Sequence, residues 1–126
     1  MTWPMTIREV EIRKPLAVDE RRRQEAALLR ALIPPGARRV VLDERGASVS
    51  SEDFARRLGD WRDQSVSDAV FLIGGADGVD QSLRNDADLV LSLGLMTWPH
   101  MLVRGMLAEQ LYRAQQILAG HPYHRA

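Results

Sequence analysis

Short apolar runs closed by chain breakers dominate this sequence and narrow what it can fold into. Val40-Val41-Leu42 ends on Asp43 and the turn-forming Glu44-Arg45-Gly46. Val70-Phe71-Leu72-Ile73 runs into Gly74-Gly75-Ala76-Asp77-Gly78, and Leu89–Leu93 stops at Gly94. Runs this short read as strands, and apolar residues at successive positions mean that both faces are covered. Helices must then lie on both sides of the sheet, which predicts an α/β fold with a parallel sheet.

The remaining segments fit that plan. Met5–Ile12 reads as a first strand, with Ile7, Val10 and Ile12 as its apolar points, and Pro15 ends it. Asp19 is the expected cap of a helix from about Glu20 to Ile33, whose apolar face is Ala26, Leu28, Leu29, Leu32 and Ile33. Pro34-Pro35-Gly36 stops it. Arg39–Asp43 is a short strand followed by a turn at Glu44-Arg45-Gly46. Ser50 or Ser51 caps a helix from about Glu52 to Asp63 that buries Phe54, Leu58 and Trp61. A strand at Ala69–Ile73, a short helix at about Asp80–Asp86 and a strand at Leu89–Leu93 follow. The loop Gly94–His100 then leads into a long helix, Met101–Leu118, ended by Gly120.

At 126 residues the chain suits one core rather than two, so residues 1–126 are expected to form a single domain. No run approaches the roughly 18–20 apolar residues that span a bilayer. Met1-Thr2-Trp3-Pro4 lacks the basic region and apolar stretch of a signal peptide. The absence of cysteine excludes disulfides and thiolate chemistry. A cytoplasmic protein without a membrane partner is expected. Zero net charge argues against a generic nucleic-acid coat protein. After residue 92, Arg104, Arg113 and Arg125 stand against Glu109 alone, a lean that chance explains equally well.

Four segments could carry chemistry. The glycine turn 74–78 lets the backbone approach a ligand beyond a strand's carboxyl end, although a simple tight turn explains it more economically. Gly94-Leu95-Met96-Thr97-Trp98-Pro99-His100 is too apolar for a solvated loop; a flat aromatic ligand would cover it, as would a neighbouring loop or subunit. The helix 101–118 is apolar on most of its circumference, which points to a symmetric dimer interface, or to a central core helix. The tail His121-Pro122-Tyr123-His124-Arg125 gathers a stacking ring, two imidazoles and a guanidinium, groups that suit an extruded base and its phosphates. Two histidines three apart make no metal site without further ligands.

Taken in order, these segments resemble one family. Phe71-Leu72-Ile73-Gly74-Gly75-Ala76-Asp77-Gly78, Met96-Thr97-Trp98-Pro99-His100-Met101-Leu102-Val103-Arg104, Ala108-Glu109-Gln110-Leu111-Tyr112-Arg113-Ala114 and His121-Pro122-Tyr123-His124-Arg125 are similar to the RlmH family of the SPOUT superfamily. These enzymes methylate N3 of a pseudouridine in helix 69 of 23S ribosomal RNA. The match is dense from about Val40 onward, and four ordered motifs are far more specific than one. The resemblance implies a SPOUT-type parallel sheet with a C-terminal trefoil knot, an exception to the rule against threading. It implies S-adenosylmethionine as cofactor, a homodimer through the 101–118 helix, no metal, and 23S rRNA in the assembled ribosome as partner. By position, Leu42, Gly75, Gly94, Leu95, Met96, Thr97, Trp98 and Pro99 would line the cofactor. Arg104, Tyr123, His124 and Arg125 would meet the RNA, with His124 and Arg104 as catalytic candidates. Family members usually begin with a further strand and helix ahead of the point where Met5–Ile12 aligns; the expectation here is an N-terminally short fold, through a mis-set start, an unrepresented segment or a rearranged variant.

Imidazole titrates near neutral pH, so His124 is chemically suited to take the N3 proton, beside a backbone or solvent route. A competing reading is a non-catalytic RNA-binding or ribosome-assembly factor on the same fold, sharing every motif except a usable cofactor pocket.

Overall fold

A computed structural model describes residues 17–73, 79–93 and 100–120. The expected strand Met5–Ile12 lies outside them. Helix α1 (Val18–Ala31) leads into β1 (Arg38–Ala47), α2 (Ser51–Asp63), β2 (Ala69–Ile73), α3 (Gln81–Asn85), β3 (Leu89–Leu91) and α4 (His100–Leu118). The three strands form one parallel sheet in the order β2-β1-β3. Leu42 of β1 stands opposite both Ile73 and Leu91.

Successive β1 residues serve opposite faces. Val40 and Leu42 join Phe54, Ala55, Leu58 and Trp61 of α2 with Leu107 and Ala114 of α4. Val41 joins Ala26 of α1 and Leu83 of α3. Helices thus cover both sides, as the two-faced apolar runs predict. Phe54 meets Phe71 edge to face, ring centroids 6.2 Å apart. Ser51 Oγ donates to Gln110 Oε1 at 2.7 Å and ties α2 to α4.

Several boundaries differ from the expectation. Helix α1 starts at Val18 behind an Ala17 cap that makes no side-chain bond, so Asp19 is a first-turn residue and not the cap. Its buried face holds Ala26, with Leu29 and Ile33 against it, while Leu28 and Leu32 are exposed. Ser50 is the cap of α2, its Oγ accepting the Asp53 N–H at 3.0 Å. β3 stops at Leu91, two residues before the expected Leu93. β1 does not end at Asp43. Residues 43–46 leave the ladder and Ala47 pairs again with Leu91, so the expected turn is a bulge within a longer strand.

Ser65 follows α2 at φ 63°, a left-handed conformation that favours glycine. Its N–H reaches the Arg62 carbonyl at 3.0 Å and the Val66 N–H reaches that of Trp61 at 3.0 Å, which completes a Schellman end. Ser65→Gly should stabilise the protein by about 1 kcal/mol, the approximate cost of holding a Cβ in that conformation. Urea unfolding checks this; a lower midpoint would contradict the assignment.

Candidate functional site

β1 continues into α2 on one face of the sheet, and β2 into α3 on the other. Adjacent strands whose connections part in this way leave a crevice beyond their carboxyl ends, the usual ligand position in an open α/β sheet. Leu42 and Ile73 stand side by side there. Leu42 is nearly buried, at 9% exposure, and gives the crevice an apolar floor. Segment 74–78 departs from Ile73; segment 94–99 departs from Leu93, two residues beyond Leu91, the other neighbour of Leu42. The structure thus gathers Leu42 and the roots of both segments. Gly75, Gly94, Leu95, Met96, Thr97, Trp98 and Pro99 themselves lie outside the described residues.

Asp43, the next residue after Leu42, lies at the start of the bulge. Its Oδ1 accepts from the Arg45 N–H at 2.9 Å and from Arg45 Nε at 3.1 Å. Its Oδ2 accepts from Arg84 Nη1 at 2.9 Å. The Asp43 side chain is only 9% exposed. The side-chain hydrogen bond from Arg45 is the largest influence on the carboxyl; with help from Arg84 it overcomes burial and lowers the pKa from 3.8 to about 2. A pKa depressed on folding contributes stability above the unfolded value and loses it as pH falls through the folded one. Asp43 should therefore contribute on the order of 2 kcal/mol at neutral pH, lost between about pH 4 and pH 2. Asp43→Asn should be less stable by a similar amount at pH 6, and the gap should close on acidification. A pH-independent gap in urea titrations would count against the pairing.

Arg104 lies in the second turn of α4 and is half-buried. Glu109 and Arg113, four residues apart on α4, form a pair, with Arg113 Nη2 reaching Glu109 Oε1 at 2.7 Å. Leu107 and Ala114 are buried, with Val103, Leu111, Ile117 and Leu118 packed on the same core. Leu102 and Tyr112 remain about half exposed, at 47% and 49%. Among the described residues, cover on most of the circumference is thus not reached, and one side of the helix is buried. Gly120, at φ 71°, ends α4 with its N–H on the Ile117 carbonyl at 3.0 Å. Over its 19 residues α4 rises by about 27 Å, and Arg104 stands near its start. Tyr123, His124 and Arg125 lie outside the described residues.

Sequence reasoning did not find Arg84 or the bulge. Gly46 was the available signal, because a glycine inside a strand marks close backbone approach. A Cβ there would lie 2.5 Å from the Val90 carbonyl oxygen. Among the described residues no group of three His, Cys, Asp or Glu could hold a metal. No described helix is long and apolar enough to cross a membrane.

A parallel sheet covered on both faces, with a crevice where its connections part, is the layout in which α/β proteins take up ligands. The family model described as "Predicted SPOUT methyltransferase" matches residues 2–124, and the chain belongs to that family of enzymes. Three relatives carry the name ribosomal RNA large subunit methyltransferase H. The one from Rhodospirillum centenum is 66% identical over 124 residues, covering 98% of this chain and 82% of the relative. That of Paramagnetospirillum magneticum is 57% identical over 122 residues (97% and 80%). That of Roseobacter denitrificans is 61% identical over 122 residues (97% and 76%). Within the SPOUT methyltransferases, the chain falls in the RlmH branch.

Proposed function

We propose that this enzyme methylates large-subunit ribosomal RNA with S-adenosylmethionine, at N3 of a pseudouridine in helix 69 of the assembled ribosome. The observation that carries this reading is the meeting of Leu42 with the roots of segments 74–78 and 94–99 at the parting of β1 and β2. The apolar Leu42 and the flanking aliphatic strand ends fit an adenosine better than a free phosphate. S-adenosylmethionine supplies an activated methyl group. Leu42, Gly75 and Gly94–Pro99 bind and orient it, and Arg104, Tyr123, His124 and Arg125 hold the base and its phosphates. Orientation accounts for most of the acceleration, on the scale of about 7–11 kcal/mol. The N3 proton leaves to His124 or by a backbone or solvent route.

The reading includes one SPOUT domain over residues 1–126, a C-terminal trefoil knot and action on cytoplasmic ribosomes. It also includes a homodimer through the 101–118 helix, supported by exposed Leu102 and Tyr112 on a helix whose other side is buried. In such a dimer the tail would meet the RNA at the second copy's site. The near-neutral surface suits recognition of a preformed ribosomal shape rather than of naked RNA.

Transfer of labelled methyl to ribosomes lacking the modification is the direct test. Incorporation at the helix 69 pseudouridine supports the enzyme as described; incorporation elsewhere rejects the substrate. A folded dimer that fails to bind S-adenosylmethionine would favour the non-catalytic factor.

A further inference from the structure

Three observations converge on Arg84. It lies on α3, just beyond the glycine segment, with a side chain only 14% exposed. Its Nη1 donates to Asp43 Oδ2 at 2.9 Å and also to the Val79 carbonyl at 3.3 Å, while Nη2 bonds Gln81 Oε1. Asp43 is the residue after Leu42, and Val79 the residue after Gly78. One guanidinium therefore grips the far ends of two separate stretches of chain at the crevice.

Neither stretch is held there by the sheet alone. Segment 74–78 is anchored at Ile73 by the β1–β2 ladder, but its other end, Val79, lies beyond the strand. Residues 43–46 have left the β1–β3 ladder, so Asp43 is fixed by side chains. Both clamp contacts come from Nη1, and the planar group fixes their directions because its Nη2 is held by Gln81, a second anchor that an ammonium on a flexible stem lacks.

We infer that Arg84 is a positioning residue for the cofactor, clamping the chain after Leu42 to the chain after the glycine segment so that both keep the spacing the adenosine requires. This rests on the S-adenosylmethionine site proposed above. Arg84 acts through its two partners and touches neither cofactor nor RNA.

The test is calorimetric titration of the full chain with S-adenosylmethionine, alongside circular dichroism and thermal melting. Arg30 supplies the control. Its Nη2 donates to Ser82 Oγ at 2.6 Å and pairs with Asp86 at 3.6 Å, so it also steadies α3, but without reaching Asp43 or Val79. Arg84→Met should weaken binding by about tenfold, because without the clamp only about a tenth of the free protein would hold the competent spacing. Arg30→Met should lower the melting temperature yet leave affinity within about twofold, since helix support alone does not enter the binding equilibrium. Arg84→Lys, which keeps the charge and loses the fork, should fall between wild type and Arg84→Met. Equal affinity losses in Arg84→Met and Arg30→Met would overturn the clamp. If Arg84→Met does not fold, Arg84→Lys decides: wild-type affinity there overturns it, and weakened affinity supports it. Absence of binding by the wild type would overturn the cofactor site and the clamp with it, whereas wild-type binding that every variant retains would overturn the clamp alone.

Discussion

Replacing His124 and Arg125 together by alanine is expected to lower methyl transfer to ribosomes by about 10²–10⁴-fold, the range over which a positioned proton acceptor acts. S-adenosylmethionine binding should stay within a few-fold of wild type, because the residues proposed to line the cofactor are separate in sequence. The large change should appear in the transfer step. Helix α4 adds a second arm to the experiment. If the tail serves the second copy of the proposed dimer, two defective chains should complement each other. A chain carrying the tail substitutions, mixed with one carrying Gly75→Val, should then recover transfer through the proposed dimer. Full activity of the double variant would remove the tail from the site. Loss of activity without recovery on mixing would return the tail to its own subunit.

Gly46→Val should lower stability by about 3 kcal/mol or more, at or above the usual cost of overpacking. A Cβ at Gly46 would meet the Val90 carbonyl oxygen at 2.5 Å and its carbon at 2.7 Å. These are backbone atoms of β3 and cannot swing aside, so the bulge or the β1–β3 pairing must give. Gly59→Ala is the contrasting case. Its Cβ would meet Leu118 Cδ2 at 2.9 Å, the end of a flexible side chain, and alanine gains roughly 1 kcal/mol of helix propensity. That substitution should be close to neutral. Urea unfolding of both variants checks the pair, and a Gly46→Val protein as stable as wild type would refute the close approach.

Much of the fold was legible because its signals are local. The β2 bounds, Ala69–Ile73, follow from an apolar run between a polar stretch and a glycine cluster. The α2 core of Phe54, Leu58 and Trp61 follows from helical spacing, and its serine cap from residue chemistry. What failed depended on distance in sequence. Leu28 and Leu32 look like core residues until the face of α1 is fixed by Ala26 meeting Val41. The strand beyond Asp43 looks like a turn until Ala47 finds Leu91 again. Arg84 and Asp43 are 41 residues apart, and nothing in either neighbourhood announces the pairing. At the site, short-range chemistry marked the glycine and apolar segments, and the order of the four motifs pointed to the RlmH family. Leu42 as a crevice residue becomes a geometric statement only once β1 lies between β2 and β3.

The two-sided burial of β1 leaves a gap in information. In a strand with one wet face, sliding by a residue puts apolar groups into water, so the alternation itself encodes the pairing. Val40, Val41 and Leu42 are all apolar, and exchanging the two cores they serve would change little in hydrophobicity. Oil and water therefore do not specify the alignment of this strand; point contacts must. Asp88 accepts the Arg39 N–H at 2.8 Å and returns its own N–H to the Arg39 carbonyl at 2.8 Å, which locks one end. Gly46 admits the Val90 carbonyl at the other. Polar and glycine positions outside the core thus hold the alignment code for a strand whose own residues are nearly interchangeable. An insertion between Arg39 and Gly46 would break that code while leaving the composition of the core untouched.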